Sequence, residues 1–181
     1  MVKKLVIILI MILMLVGAGI YFRVEFKYMM VLNGQNTLIL GKLKKAIKAP
    51  ANNVETTEDH IAAVADENGV GFATDLGLYD KTLFKHCGDD CFDRPSFYRA
   101  YAKILAQIHV EELWVYAQNK TKDRVATYIL DREKNQILKT LQKSRAKISS
   151  HYGAIKTPEH KQAANDVVKQ MDEKIAQISA K

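Results

Sequence analysis

Leu5 to Phe22 is a run of 18 residues without a charged side chain. As an α-helix it is about 27 Å long, close to the hydrocarbon thickness of a bilayer. A globular core that enclosed such a run would need a large domain wrapped around it, and a chain of 181 residues does not supply one. The run therefore predicts a single N-terminal transmembrane helix, preceded by Lys3 and Lys4 and followed by Arg23 and Lys27. The competing reading is a cleavable signal peptide, with Leu5 to Val16 as its apolar region and Gly17-Ala18-Gly19 as the small-residue stretch. Retention is favoured because the apolar run continues through Ile20, Tyr21 and Phe22 and no clear A-x-A site interrupts it. The flanking cations nearly balance, so the positive-inside rule separates the two orientations only weakly. The signal-anchor layout and a cysteine pair further on favour a plasma (inner) membrane protein whose C-terminal domain is extracytoplasmic.

Beyond the run, apolar residues make up 48% of the chain and charged ones 26%, a balance that excludes a disordered tail and a polytopic membrane protein. Two cysteines cannot hold a small fold without a core of its own. Charge is divided by region. Residues 23–48 carry six basic residues against one acid, residues 49–93 two against ten, and residues 94–181 seventeen against nine. A nucleic-acid binder more often shows one continuous basic face, so this alternation predicts an acidic stretch folded against basic helices and no nucleic-acid partner.

Helical periodicity is clearest from Asp93 onward, and residues 51–92 are the least regular. Over 39–48, Ile39, Leu40, Leu43, Ala46 and Ile47 share one arc, and Lys42, Lys44, Lys45 and Lys48 fill the other side. Such a helix close to an anchor either lies on anionic lipid through its four lysines or packs its apolar arc on the domain core. Thr56 and Thr57 precede a short helix near 58–66, Asn68-Gly69-Val70-Gly71 marks a turn, and Asp75 begins another helix running to about Lys85. Asp93-Arg94-Pro95-Ser96 opens a helix expected to run over 95–118. Its stripe is Phe97, Tyr101, Ile104, Leu105, Ile108 and Val115, with Val110 and Trp114 on a second face suited to a partner. Ala126, Leu130, Ile137, Leu141 and Ile148 mark the next helix, and Gly153 makes a turn. Thr157-Pro158-Glu159 restarts a helix whose seam is Ala164, Val168, Met171, Ile175 and Ile178. The predicted fold is all-α: the transmembrane helix, then a small helical bundle ending in an antiparallel helical hairpin. The domains are an anchor over 1–27, a juxtamembrane basic amphipathic helix over 28–50, and a helical domain over 51–181 with an acidic part (51–93) and a basic part (94–181).

The most distinctive local chemistry is His86-Cys87-Gly88-Asp89-Asp90-Cys91. A turn at Gly88 brings Cys87 and Cys91 within reach of a disulfide. The spacing suits neither a C-x-x-C redox motif nor haem attachment, and a zinc site on His86, the cysteines and a nearby aspartate lacks the second pair of ligands. His109 and Glu112 lie three apart on one helix, without the repeated Glu-x-x-His of di-iron bundles. No metal, cofactor or catalytic constellation is predicted. Asn119-Lys120-Thr121 fits a glycosylation sequon, a triplet common by chance. Lys139, Lys143, Arg145 and Lys147 form a basic patch, either a solvated face or a contact for lipid phosphate, cell-wall polymer or an acidic partner. The expectation is a non-enzymatic, membrane-anchored interaction protein, an accessory subunit of a bacterial-type envelope complex. It is held by the bilayer, with Lys42, Lys44, Lys45 and Lys48 on lipid and Val110, Trp114, Lys139 and Lys143 on a protein partner. The alternative is a helical ligand-sensing or effector-neutralising domain, which a buried polar cluster between helices, for instance around Glu111 and Glu112, would favour.

Overall fold

The computed structural model describes the backbone of residues 2–48, 56–70, 73–109 and 124–180, and side chains for 4–19, 34, 36–48, 56–70, 73–109 and 131–180. All regular structure among the described residues is helical: α1 (Val2–Lys48), α2 (Thr57–Asn68), α3 (Ala73–Cys87), α4 (Pro95–Ala106), α5 (Arg124–His151) and α6 (Pro158–Ser179), with 3-10 turns at Gly88–Asp93 and Tyr152–Ala154. The chain divides into two compact units, Met1–Thr37 and Leu38–Lys181.

In the first unit, every side chain from Leu5 to Val16 is exposed, between 47% and 72%. Among the described residues no helix is long and apolar enough to cross a membrane. The transmembrane helix expected over Leu5–Phe22 thus has its helical backbone and nothing more. The basic helix expected over 39–48 is not a separate element; it is the last three turns of α1.

The second unit begins with those turns. Ile39, Leu43 and Ala46 are buried in the core, while Leu40 and Ile47 of the same arc stay exposed, so the arc packs on the domain in part. Local signals account for several helix ends. Thr56 caps α2 with its hydroxyl on the Asp59 N–H, and the Asp59 carboxylate returns to the Thr56 N–H, a full capping box. Gly69 ends α2 with φ 69°, a conformation open to glycine. Thr157 caps α6 through the His160 N–H, with Pro158 in the first turn.

Cross-contacts fix the packing. Glu58–Arg94, Asp59–Arg99 and Asp66–Gln107 ascend together, so α2 and α4 run parallel. Asp93–His160 and Ile108–Lys174, which flank α4, make α4 parallel to α6. Ala73–Glu133, Asp80–Ser144 and Phe84–Lys147 do the same for α3 and α5. Tyr152–Asn165 and Arg145–Asp172 descend, which gives the expected antiparallel hairpin of α5 and α6. Between them lies a core in which Tyr79, Phe97, Tyr98, Tyr101, Leu76, Leu83 and Ile104 are almost wholly buried. The buried phenols are satisfied: Tyr98 donates to the Phe92 carbonyl at 2.8 Å and Tyr101 to Asp80. Burial, with Asp93 nearby, pushes the Tyr98 hydroxyl up to about 12.

Two expectations need correction. The helix predicted over 95–118 stops at Ala106. Its end is set by distant groups: the Gln107 carbonyl accepts the Val70 N–H, the Ile108 carbonyl accepts Lys174 Nζ at 3.0 Å, and the Ile108 side chain turns into the core. The seam of α6 is Ala164, Val167, Met171 and Ile178, with Val168 and Ile175 only partly buried.

Candidate functional site: a lysine-lined groove

Among the described residues, a concavity of about 470 Å³ lies between α3 and α5. It opens because the facing positions are small: Gly77 on α3, where nothing lies within 4 Å of a would-be Cβ, and Ser144 on α5. The α3 wall adds Lys81 and Phe84, and the α5 wall adds Lys139, Thr140, Lys143 and Lys147.

The floor is polar and braced. Ser144, only 2% exposed, and the buried Tyr101 both donate to Asp80 Oδ1. Burial raises the Asp80 carboxyl above its ordinary value; the Ser144 and Tyr101 hydrogen bonds, with Lys147 and Lys143, pull the other way. Burial, reinforced by Asp80, holds the Tyr101 phenol far above its usual range. The rim is basic. Four lysines face one carboxylate, a surplus of three positive charges. Lys147 Nζ lies 4.1 Å from the Phe84 ring centroid, and Phe84 in turn stands 5.3 Å from Phe97 at the edge of the aromatic core.

The groove unites three residues named from sequence, Lys139, Lys143 and Lys147, with six that sequence reasoning did not bring to it: Gly77, Asp80, Lys81, Phe84, Thr140 and Ser144. Ser144 left a signal, because it falls between Leu141 and Ile148 on the buried stripe of α5, where a polar residue needs a partner. Arg145, from the same basic patch, instead forms a two-pronged pair with Asp172 of α6 at 2.5 and 3.0 Å.

The other expected site residues lie elsewhere. Lys42 is half-buried and occupied by Glu67 Oε1 at 2.8 Å and Asn68 Oδ1 at 2.9 Å; Lys44, Lys45 and Lys48 are exposed. Val110 and Trp114 lie outside the described residues, as do Glu111 and Glu112. Cys87 and Cys91 form a disulfide with Cα atoms 5.1 Å apart, inside the usual range of about 4.4–6.8 Å. It ties the end of α3 to the 3-10 turn, next to His86, which lies 3.9 Å from Glu58. Among the described residues no group of three His, Cys, Asp or Glu side chains is arranged to hold a metal ion.

No family model, curated protein or solved structure matches this chain.

Proposed function

We propose that this chain is a non-enzymatic interaction protein, tethered by Leu5–Phe22 in a plasma membrane, whose helical domain holds an anionic partner in the α3–α5 groove. The observation that carries the reading is the clustering of Lys81, Lys139, Lys143 and Lys147 around one concavity, while other cations of the bundle, such as Arg94 and Arg145, are taken up by carboxylates. Binding rather than catalysis fits the floor. Ser144 is too buried to meet a ligand and spends its hydroxyl proton on Asp80. The tether is supported by the 18-residue uncharged run and by apolar side chains exposed all round the helix, an arrangement suited to a lipid environment. The disulfide supports an extracytoplasmic domain, because such bonds persist in oxidising compartments. Lys44, Lys45 and Lys48 remain available to anionic headgroups; Lys42 does not. An accessory subunit of an envelope complex matches this combination of tether and docking groove.

A second reading, a domain that senses a small anionic ligand, draws on one observation: the buried Asp80–Tyr101–Ser144 cluster links the groove floor to the core of α4. One experiment separates the two. A photo-crosslinking amino acid replaces Lys143 in intact cells, with the exposed Lys169 of α6 as control position, and membranes are then washed with carbonate. The docking reading expects the chain in the washed pellet and a discrete protein adduct from position 143 alone. A chain released by the wash overturns the tether, and absence of a protein adduct overturns the docking role in favour of the small ligand.

A further inference from the structure

We infer that the groove takes an extended acidic segment of its partner, with carboxylates at every second residue; this rests on the docking role just proposed. Lys139, Lys143 and Lys147 recur every four residues on α5, so their stems are spaced about 6 Å apart along the helix. Alternate side chains on one face of an extended chain recur roughly every 6.6 to 6.8 Å. Three acids at positions i, i+2 and i+4 span about 13 Å, against about 12 Å from Lys139 to Lys147. The intervening side chains of such a segment point the other way, toward the α3 wall and the space over Gly77.

Other anions fit less well. Phosphate sites commonly use backbone N–H groups at helix N-termini, whereas these groove residues lie within α3 and α5, where the N–H groups serve the helices themselves. The stems of Lys139 and Lys147 lie about 12 Å apart along α5, so a single phosphate does not use the whole row. A docked helix would need a broad apolar face, and Phe84 is the one large apolar side chain of the groove lining. Asp80 at the floor repels any anion that enters deeply and leaves the lysine rim as the place for charge.

The test uses the full chain in detergent micelles and a labelled peptide of about ten residues alternating Asp and Val. Its comparators are a peptide of the same composition with the acids in one block, inorganic polyphosphate, and phosphatidylglycerol vesicles. The expected result is binding of the alternating peptide at least tenfold tighter than the block peptide, weakened by salt. Lys143→Glu should lower that affinity at least tenfold and Lys169→Glu should leave it unchanged. Gly77→Leu should block binding by filling the groove, with no fall in thermal stability. Equal affinity for the two peptides, or binding of polyphosphate or vesicles without the alternating peptide, overturns the inference. If the peptide fails while the Lys143 crosslink still yields a protein adduct, the docking role stands and the extended geometry falls; if both fail, the groove is not a docking element.

Discussion

Glu58 has no exposed surface, and its carboxylate is held by Arg94 at 3.0 Å, with His86 at 3.9 Å. Removing one partner of a buried pair strands the other charge in a poor solvent. Arg94→Ala is expected to cost about 2 kcal/mol, on the low side for such pairs because the Arg94 side chain is 40% exposed. Adding Glu58→Gln should recover most of that loss, and urea denaturation of both variants measures it. Asp93 acts in the opposite pH sense to Asp80. Its carboxylate accepts the His160 ring N–H at 2.9 Å and the Lys156 backbone N–H at 3.2 Å, and these, His160 first, hold its pKa below the ordinary value. The folded chain therefore binds this proton later than the unfolded chain does. The resulting stability is present above the unfolded value and is lost as pH falls through the lowered one. Asp93→Asn should melt below the wild type at neutral pH, and the gap should close as acid passes through that window, as read by melting curves across pH.

At the level of elements, the legible helix ends are those with local causes. Thr56 and Thr157 announce their caps because the donors they satisfy lie three residues away. The illegible ones are set from afar. The Ala73 N–H, an orphan donor at the start of α3, is taken by Glu133 from 60 residues downstream. The Ile108 carbonyl is taken by Lys174, and this together with the buried Ile108 side chain ends a helix whose periodicity continues past it. The same reasoning separates two turn glycines that look alike in sequence. Gly69 has φ 69°, whereas Gly153 is not in the left-handed region. Neither has a neighbour within 4 Å of a would-be Cβ, so space does not decide the outcome. Gly69→Ala is expected to cost about 1–3 kcal/mol from backbone strain, and Gly153→Ala about 0.5 kcal/mol or less; chemical denaturation of the two variants checks the contrast. The groove was half legible for a related reason. Lys139, Lys143 and Lys147 show as a periodic patch on one helix, but the α3 wall that turns the patch into a concavity comes from about 60 residues earlier.

For the whole molecule, the boundary between the units falls inside α1, and the domain's own share of that helix begins at Leu38. Two truncations should therefore behave differently. A chain beginning at Leu38 should keep the thermal stability of the helical domain and leave the carbonate-washed membrane pellet. A chain beginning after Lys48 loses Ile39 and Leu43 from the core, at a cost of about 3–6 kcal/mol for two buried aliphatic side chains. Circular dichroism melts of the two fragments decide this. The parallel pairing of α2 with α4, α3 with α5 and α4 with α6 has a further consequence, in time rather than space. Parallel helices cannot be neighbours joined by a tight turn, so each pairing waits on chain that is made later. While the polypeptide is still being synthesised, α3 has neither its Glu133 cap nor its lysine-bearing wall, and α4 lacks Lys174. The domain is thus obliged to mature after its C-terminal hairpin has emerged, and ribosome-arrested chains that end before Pro158 should remain open to protease where the finished chain resists it.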